Sequence, residues 1–152
     1  MIIIDRISDL SVEELAAQLV DLLDASYDHG SPWTKEQFVL ALQQEKNHFL
    51  YVVNGRNLVG FLAYSYLLDQ ADIINLAIHP DFQKEGLATQ LLMLMEENLN
   101  KAKIKEVFLE VRAKNLAAQK FYQVQGFEKI SMRSHYYKNP PDHAFILSKE
   151  LL

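Results

Sequence analysis

The sequence has no cysteine among its 152 residues. This excludes disulfide bonds, thiolate zinc sites and cysteine nucleophiles, and it is typical of proteins in a reducing compartment such as the cytoplasm. Long apolar runs are missing too, since a run such as Leu91–Met95 is far shorter than the roughly 20 residues that a membrane helix needs. The apolar start is followed at once by Asp5, which does not fit a signal peptide. We therefore expect a cytoplasmic protein with no membrane partner.

Positive charge is in the minority, with 15 lysine and arginine residues against 20 aspartate and glutamate residues and a net charge of −5. Binding to nucleic-acid phosphates needs clustered Lys and Arg, so we expect no nucleic-acid partner. An acidic protein still suits a cationic substrate, and a protein amine is one. We expect no metal, because His48 and His143 lack metal-ligand spacing with carboxylates.

The length suits one domain, since domains commonly have about 100–150 residues. With 49% hydrophobic and 23% charged residues, the composition is that of a globular protein. We predict a single domain over residues 1–152 that is a monomer or a weak dimer.

The hydrophobic pattern predicts an α/β fold with a mixed sheet covered by helices, in the order β-α-α-β-β-β-α-β-α-β-β. Capping boxes at Ser11–Glu14 and Thr34–Gln37 predict two helix starts, and Asn54-Gly55 predicts a tight hairpin turn. The predicted strands are Ile2–Ile7, Phe49–Val53, Leu58–Leu67, Ile73–Ile78, Val107–Val111, Phe127–Tyr136 and Ala144–Leu151, with breaks at His29–Pro32 and a turn at Asn139–Asp142. A helix with Leu87, Leu91, Leu94, Met95 and Leu99 on one face follows the fourth strand, and a helix over Leu116–Val124 closes at Gly126.

The first stretch with chemical potential is Asn75–Thr89, in which a buried strand ends at Pro80 and a polar turn leads through Gly86 into a helix. The first N–H groups of a helix lack internal partners and carry partial positive charge, so such a turn suits a phosphate or pyrophosphate. Gly86 lets a ligand approach the backbone closely. The turn is neither a P-loop nor a full GxGxxG. The alternative is an ordinary strand-to-helix turn without a ligand.

The second stretch is the strand around Glu106–Arg112. Alternation places Glu110 and Phe108 on the face opposite three aliphatic residues. A carboxylate inside a strand is costly to desolvate unless it borders a wet cleft, where it can accept protons. The alternative is that Glu110 is solvated or paired with Arg112.

The third stretch is a short helix that begins after Asn115, a natural N-cap. One stripe of this helix contains Asn115, Ala118 and Tyr122. The small Ala118 leaves room for a ligand, to which the amide of Asn115 and the phenol of Tyr122 can hydrogen-bond. The alternative role for Tyr122 is packing. The adjacent stripe, predicted to face the core, is Ala117, Phe121 and Val124.

These stretches together resemble a known family. Gln83–Ala88 resembles the Q/R-x-x-G-x-G/A pyrophosphate loop of the GNAT N-acetyltransferases. The run Leu109–Ala118, followed by Phe121-Tyr122 and Gly126-Phe127, is similar to the ribosomal-protein-alanine N-acetyltransferase branch. Ser31–Thr34 and Arg133–Tyr137 echo that branch, which differs in usually having a glycine where this chain has Ala88. The resemblance covers essentially the whole chain and implies the GNAT fold.

The resemblance implies that acetyl-CoA is the co-substrate and that no metal takes part. The strand ending at Ile78 would separate from the strand that carries Glu110, so that the pantetheine arm pairs with the backbone of Leu76 and Ile78. The pyrophosphate would rest on the N–H groups from Lys84 to Thr89. The cofactor-binding residues so implied are Leu76, Ala77, Ile78, Lys84, Glu85, Gly86, Leu87, Ala88, Thr89 and Asn115.

The resemblance also implies the catalytic residues. Glu110 would act as general base on the attacking amine, and Tyr122 would protonate the departing CoA thiolate. The implied acceptor is a protein N-terminal α-amine, with a small-molecule amine, a lysine side chain or a non-catalytic acyl-CoA-binding role as alternatives. Trp33 and Tyr136–Tyr137 either line the peptide entrance or pack the lid, and Asp69 and Asp72 either attract a cationic N-terminus or are solvated.

Overall fold

The computed structural model describes residues 1–28, 30–138 and 140–151. The described residues form seven strands, four α-helices and a short 3₁₀ turn at Pro80–Phe82. The predicted element order is confirmed. In chain order the elements are β1 (Ile2–Ile4), α1 (Val12–Ser26), α2 (Lys35–Gln43), β2 (Asn47–Asn54), β3 (Asn57–Leu67), β4 (Gln70–Ile78), α3 (Leu87–Lys101), β5 (Glu106–Arg112), α4 (Leu116–Val124), β6 (Glu128–Lys138) and β7 (Pro141–Glu150).

The strands form one mixed sheet in the order β1-β2-β3-β4-β5-β7-β6. β4 and β5 are parallel, because the helix α3 connects them, whereas β5–β7 and β6–β7 are antiparallel. The parallel register joins Gln70–Asp72 to Glu106–Phe108. The α/β fold class predicted from the sequence is therefore confirmed.

Both predicted helix starts are confirmed. The Ser11 hydroxyl accepts from the N–H of Glu14, whose carboxylate accepts from the N–H of Ser11 in return. Thr34 and Gln37 make the same reciprocal pair at the start of α2. Each cap supplies partners to N–H groups that the helix leaves unpaired, and such a cap stabilises a helix by about 1 kcal/mol.

Three predicted boundaries differ from the structure by three residues. β1 ends at Ile4 instead of Ile7, and β4 begins at Gln70, three residues before the predicted start. The predicted turn at Asn139–Asp142 is shorter, because Pro141 and Asp142 already belong to β7. Proline is tolerated as the first residue of a strand, where its missing N–H costs little. Asn139 itself, and His29 of the predicted helix break, lie outside the described residues.

The chain folds as two compact units, the first made of Met1–Ser65 and Ile74–Glu97 and the second of Tyr66–Ile73 and the residues from Asn98 onward. The prediction of one domain, made from length, stays a prediction. The first unit has an apolar core of side chains from α1, α2 and the strands beside them. Its most deeply buried members include Leu19, Leu23, Phe38 and Phe61. Each such side chain contributes about 1.5–3 kcal/mol through its burial.

The second unit is built on β5, β7 and β6. The β5 side chains Val107, Leu109 and Val111 are buried, which confirms the predicted alternation along that strand. No helix in the described parts of the chain has both the length and the apolar character needed to cross a bilayer.

Candidate active site

The loop between β4 and α3, in the first unit, has an unusual backbone. His79 caps the 3₁₀ turn, since its Nδ1 accepts from the N–H of Asp81 at 3.1 Å. Lys84 and Gly86 then adopt left-handed backbone angles, with φ values of +65° and +81°. This conformation costs a non-glycine residue such as Lys84 about 1–2 kcal/mol. Strain of this kind is concentrated at ligand-binding loops.

Gly86 leaves open space beside the start of α3. A Cβ placed at Gly86 would meet no atom within 4 Å. The first helical hydrogen bond after the loop runs from the N–H of Gln90 to the carbonyl of Gly86, at 3.0 Å. The preceding N–H groups, at Leu87 and Ala88, have no partner one turn back within the helix, and the helix dipole adds partial positive charge to them. The start of α3 is therefore chemically suited to an anionic group such as a phosphate or a pyrophosphate.

The end of β4 contains an unpaired buried amide. Asn75 is 8% exposed, and its Nδ2 has no hydrogen-bond partner among the described residues. Leaving such a donor unpaired costs about 1–3 kcal/mol. The next residues, Leu76–Ile78, are those expected to pair with pantetheine, whose amides and thioester offer carbonyl acceptors. An unpaired donor beside this segment fits a carbonyl-rich ligand.

The carbonyl of Ile78 already has partners. The Nε2 of Gln83 donates to it at 2.9 Å, and the hydroxyl of Ser26 donates to it at 3.3 Å. These bonds fix the position where β4 ends and the 3₁₀ turn begins. Gln83 thus has a structural role in the loop, which the sequence motif alone did not assign.

Glu110, in the second unit, lies on the face of β5 opposite the buried aliphatic residues. Its side chain is 33% exposed, and its Oε1 lies 3.1 Å from Nη1 of Arg133 on β6. The sequence suggested Arg112 as the alternative partner. Arg112 instead donates from Nη1 to the carbonyl of Pro140 at 2.9 Å, and its guanidinium lies 4.1 Å from the ring centre of Tyr137.

Asp72 shares the face of Glu110. Asp72 is paired with Phe108 in the β4–β5 register, and paired residues in a sheet point to the same side. Although Asp72 as a whole is exposed, partial burial of its carboxyl group raises the pKa of that group. A nearby cation would offset this effect.

Asp69 lies at the turn before β4, where its backbone carbonyl accepts from the N–H of Lys105 at 2.7 Å.

The connection from β5 to α4 is fixed by side chains that the sequence analysis did not single out. The Nε2 of Gln119 donates to the carbonyls of Arg112 and Ala113, at 3.1 and 2.8 Å. The carboxylate of Asp142 accepts from the N–H of Lys114 at 3.0 Å and from the N–H of His143 at 2.7 Å. A lone glutamine or aspartate carries no pattern from which such a bond can be predicted.

The buried Asp142 is a charged group with compensating partners. Burial alone would raise the pKa of its carboxyl group. The hydrogen bonds from the backbone of Lys114 and His143 and the charges of Lys114 and Arg112 outweigh this, so the pKa lies below its usual value.

Asn115 is confirmed as the N-cap of α4, since its Oδ1 accepts from the N–H of Ala118 at 3.1 Å. The predicted core stripe of this helix is wrong, however. Val124 is 75% exposed and Ala117 is also exposed, whereas Tyr122 is only 8% exposed.

The reason lies in the turn after α4. Gly126, with φ of +99°, reverses the chain, and the N–H of Phe127 donates to the carbonyl of Tyr122 at 2.9 Å. The rings of Phe127 and Phe121 then meet the Tyr122 ring edge-on, with centres 5.5 and 5.2 Å away. The stripe of Asn115, Ala118 and Tyr122, which was expected to face a ligand, therefore contains the buried Tyr122 ring.

Comparison with known proteins identifies the family. The model of the acetyltransferase (GNAT) family matches residues 13–127. The chain belongs to this family. It is an N-acetyltransferase by family, and the resemblance found from the Gly86 loop and the Leu109–Ala118 run is confirmed.

Individual relatives agree. The chain is 38% identical to the [ribosomal protein bS18]-alanine N-acetyltransferase of Haemophilus ducreyi, covering 74% of this chain and 77% of that protein. The crystal structure of the ribosomal-protein-S18-alanine N-acetyltransferase from Escherichia coli matches with a TM-score of 0.84 at 25% identity, over 99% of this chain and 93% of that one. The PaiA N-acetyltransferase from Thermoplasma acidophilum, solved in complex with coenzyme A, shares the fold with a TM-score of 0.74 at 21% identity, covering 99% of each chain.

In this GNAT acetyltransferase, Trp33 lies between the apolar core of the first unit and a surface groove, and its expected role at the peptide entrance or in the lid stays a prediction. Its ring packs against Phe38 of the first unit's core, with ring centres 5.1 Å apart. It also lines an open groove of about 450 Å³ along α2, together with residues such as Leu40, Ser65 and Ile74. Trp33 therefore contacts the core of the first unit and also forms part of the wall of this groove.

The hairpin of β6 and β7 carries the aromatic pair Tyr136–Tyr137, whose rings meet edge-on with centres 5.2 Å apart. The pairing shifts between Arg133 and Tyr137, and His135 in this bulge has φ of +54°. The N–H of His135 donates to Nδ1 of His143 at 3.0 Å. The bulge redirects the strand just after Arg133.

Proposed function

We propose that this enzyme transfers an acetyl group from acetyl-CoA to the N-terminal α-amine of a protein, with a ribosomal protein as the preferred acceptor. The names of the Haemophilus ducreyi and Escherichia coli relatives support this acceptor. The proposal includes a cytoplasmic location, where ribosomal proteins are made.

In the proposed complex, coenzyme A binds to the residues that the family motif marks. The backbone of Leu76 and Ile78 pairs with the pantetheine arm, and Asn115 contacts the cofactor. The pyrophosphate rests on the N–H groups from Lys84 to Thr89. The open space at Gly86 and the unpaired amide of Asn75 support this assignment. The remaining backbone contact residues in this proposal are Ala77, Glu85, Leu87 and Ala88.

We assign the general base to Glu110. An α-amine has a pKa of about 7.7–8.0 and is mostly protonated at neutral pH, so it must lose a proton before it attacks. The observation that carries this assignment is the position of Glu110 on the open face of β5, one-third exposed and with one oxygen held by Arg133. A carboxylate so placed is able to accept a proton from the amine directly or through a water.

The chemical step needs no covalent enzyme intermediate. The amine nitrogen attacks the thioester carbon, a C–N bond forms, and the C–S bond breaks with its electrons passing to sulfur. The new amide nitrogen releases its extra proton, which balances the proton that the sulfur gains. The thiolate then takes a proton, for which we assign the phenol of Tyr122 as the donor. A backbone N–H near Ile78 is suited to stabilise the negative charge that develops on the carbonyl oxygen.

Two features of the chain suit a peptide acceptor. Asp72, on the face of Glu110, has a carboxyl group whose pKa is raised by burial and which gains from pairing with the ammonium group of a peptide. The groove beside Trp33 is able to hold an acceptor side chain.

The test is release of the CoA thiol with a panel of acceptors. We expect turnover with peptides that begin with alanine and much slower turnover with polyamines, aminoglycosides and free amino acids. Efficient turnover with a small amine would overturn the peptide assignment. No turnover with any amine, while coenzyme A still binds, would indicate a non-catalytic acyl-CoA-binding protein.

A further inference from the structure

Arg133 makes a contact that the family motif does not explain. It lies on β6, at the edge of the sheet, and Nη1 of its guanidinium lies 3.1 Å from Oε1 of Glu110. In the strand register Arg133 is paired with Ala144 of β7, and Ala144 is paired with Arg112 of β5. The side chain of Arg133 therefore crosses the whole width of β7 to reach Glu110.

The backbone around Arg133 supports this reach. Arg133 is paired with Ala144 and Tyr137 with Asp142, so three residues of β6 stand opposite His143 alone. The bulge begins directly after Arg133 and is fixed by the bond from His135 to His143. Its Tyr136 ring centre lies 5.2 Å from the guanidinium carbon of Arg133. The guanidinium of Arg133 thus lies near both the Tyr136 ring of its own hairpin and the carboxylate of Glu110.

The ion pair of Arg133 and Glu110 is not of the kind that stabilises the folded protein. The side chains of Arg133 and Glu110 are 56% and 33% exposed, and ion pairs in such positions contribute little to the free energy of unfolding. The pair does fix one oxygen of Glu110, because a single contact through Nη1 engages Oε1.

We propose that Arg133 is a positioning residue for the acetyl-transfer reaction: it holds Oε1 of Glu110 and thereby orients the carboxylate toward the acceptor amine. This inference rests on the proposed role of Glu110 as general base. In this arrangement, the side chain of Arg133 connects the hairpin that carries Tyr136 and Tyr137 to the general base Glu110.

The test is a double-mutant cycle of Arg133→Gln and Glu110→Gln, with kcat and the KM of the peptide measured for each protein. We expect Arg133→Gln to lower kcat about tenfold to a hundredfold, the size of effect that misplacement of a reacting group produces. The Kd of acetyl-CoA should not change. Arg133→Lys should recover most of the lost rate, because a cation remains. In the Glu110→Gln background, the further change Arg133→Gln should alter kcat less than twofold, since Arg133 acts through the missing carboxylate.

A control variant on the same strand is Lys129→Met. Lys129 lies over the ring of Phe145, 4.2 Å from its centre, and it shares with Arg133 a position on β6 and a contact with an aromatic ring. We expect its kcat to equal that of the wild type. The melting temperature of every variant separates loss of fold from loss of rate.

Two results overturn the inference. One is a wild-type kcat for Arg133→Gln while Glu110→Gln is inactive, which removes the role of Arg133 and leaves the proposed function intact. The other is a double variant whose fold-decrease in kcat equals the product of the fold-decreases of the two single variants. That result would show that Arg133 acts independently of Glu110. If Glu110→Gln itself has wild-type kcat, the assignment of the base fails, and the role of Arg133 fails with it.

Discussion

Gln119 of α4 is hydrogen-bonded to Arg112, the last residue of β5, through its Nε2 and the backbone carbonyl at 3.1 Å. This bond joins the strand that carries Glu110 to the helix that carries Tyr122. The connection is tightened by the bond from Gln119 to Ala113. The two residues proposed for proton transfer are thus held by neighbouring elements of one compact unit, and their roles are testable separately.

Substitution Glu110→Gln should lower kcat by about 10²–10⁴-fold, the usual contribution of a general base, because an amide cannot accept the proton of the amine. The Kd of acetyl-CoA should be unchanged. The measurement is steady-state release of the CoA thiol with an alanine-initiated peptide, together with calorimetric titration of acetyl-CoA. Glu106→Gln is the matched control, since Glu106 lies on the same strand and the same face. A wild-type kcat for Glu110→Gln would contradict the assignment.

Substitution Tyr122→Phe should lower kcat by about a hundredfold, because the thiolate loses its proton donor. The ring contacts with Phe121 and Phe127 remain, so the melting temperature should change little. Tyr51→Phe, in the buried core of the first unit, is the control for loss of a tyrosine hydroxyl. If Tyr122→Phe and Tyr51→Phe have the same kcat, Tyr122 has only a packing role.

Substitution Gly86→Ala should weaken the binding of coenzyme A about tenfold, equivalent to about 1.4 kcal/mol, because a methyl group enters the space where the pyrophosphate approaches. Gly55→Ala is a closely matched control. Gly55 also has a positive φ, +63° against +81° at Gly86, and neither position has an atom within 4 Å of an added Cβ. Both variants should lose a similar free energy of unfolding, of about 1 kcal/mol, from backbone strain.

Calorimetric titration with coenzyme A distinguishes the effect of backbone strain from the effect of a lost contact with the ligand. Only Gly86→Ala should bind more weakly than the wild type. Equal affinities for the two variants would show that the loop at Gly86 does not hold the pyrophosphate.

Substitution Asp142→Asn should lower the free energy of unfolding at pH 7, and the difference from the wild type should disappear in acid. The folded protein lowers the pKa of Asp142 below the ordinary value of 3.8. A carboxylate with a lowered folded pKa contributes stability above its unfolded pKa, and this contribution is lost as the pH falls through the folded value. Urea unfolding at pH 7, 5 and 3 measures the difference, with the exposed Asp5→Asn as control. A difference that is the same at all three values would show that charge is not its source.

The fold was predictable where local pattern decides it. Capping boxes, the Asn-Gly turn and the period of β5 gave the correct helices, hairpin and buried face, because each depends on residues close in sequence. The stripe of α4 was not predictable in this way. Leu116 and Val124 are 73% and 75% exposed, so this nine-residue helix has apolar side chains on its outer face as well. Its orientation is set by the contact between Tyr122 and Phe127 across a turn.

The candidate site, like the fold, was only partly predictable from the sequence. Motif spacing marked Gly86, Glu110, Asn115 and Tyr122. For Glu110, the alternatives to a role at a cleft were exposure to solvent or pairing with Arg112 on the same strand, and neither pointed to Arg133. Arg133 becomes that partner only through the pairing of β6 with β7 and of β7 with β5, which brings together residues 23 positions apart in sequence. Register and bulges in a sheet are determined by tertiary packing, so a single sequence does not reveal them.

The most direct measurement of the central claim is mass spectrometry of a peptide that begins with alanine and also contains an internal lysine, after incubation with the enzyme and acetyl-CoA. Fragmentation locates the added acetyl group. We expect it on the α-amine of the first residue, with none on the lysine, and we expect no product from the same peptide with a blocked N-terminus. Acetylation of the lysine with the α-amine left free would contradict the proposed function.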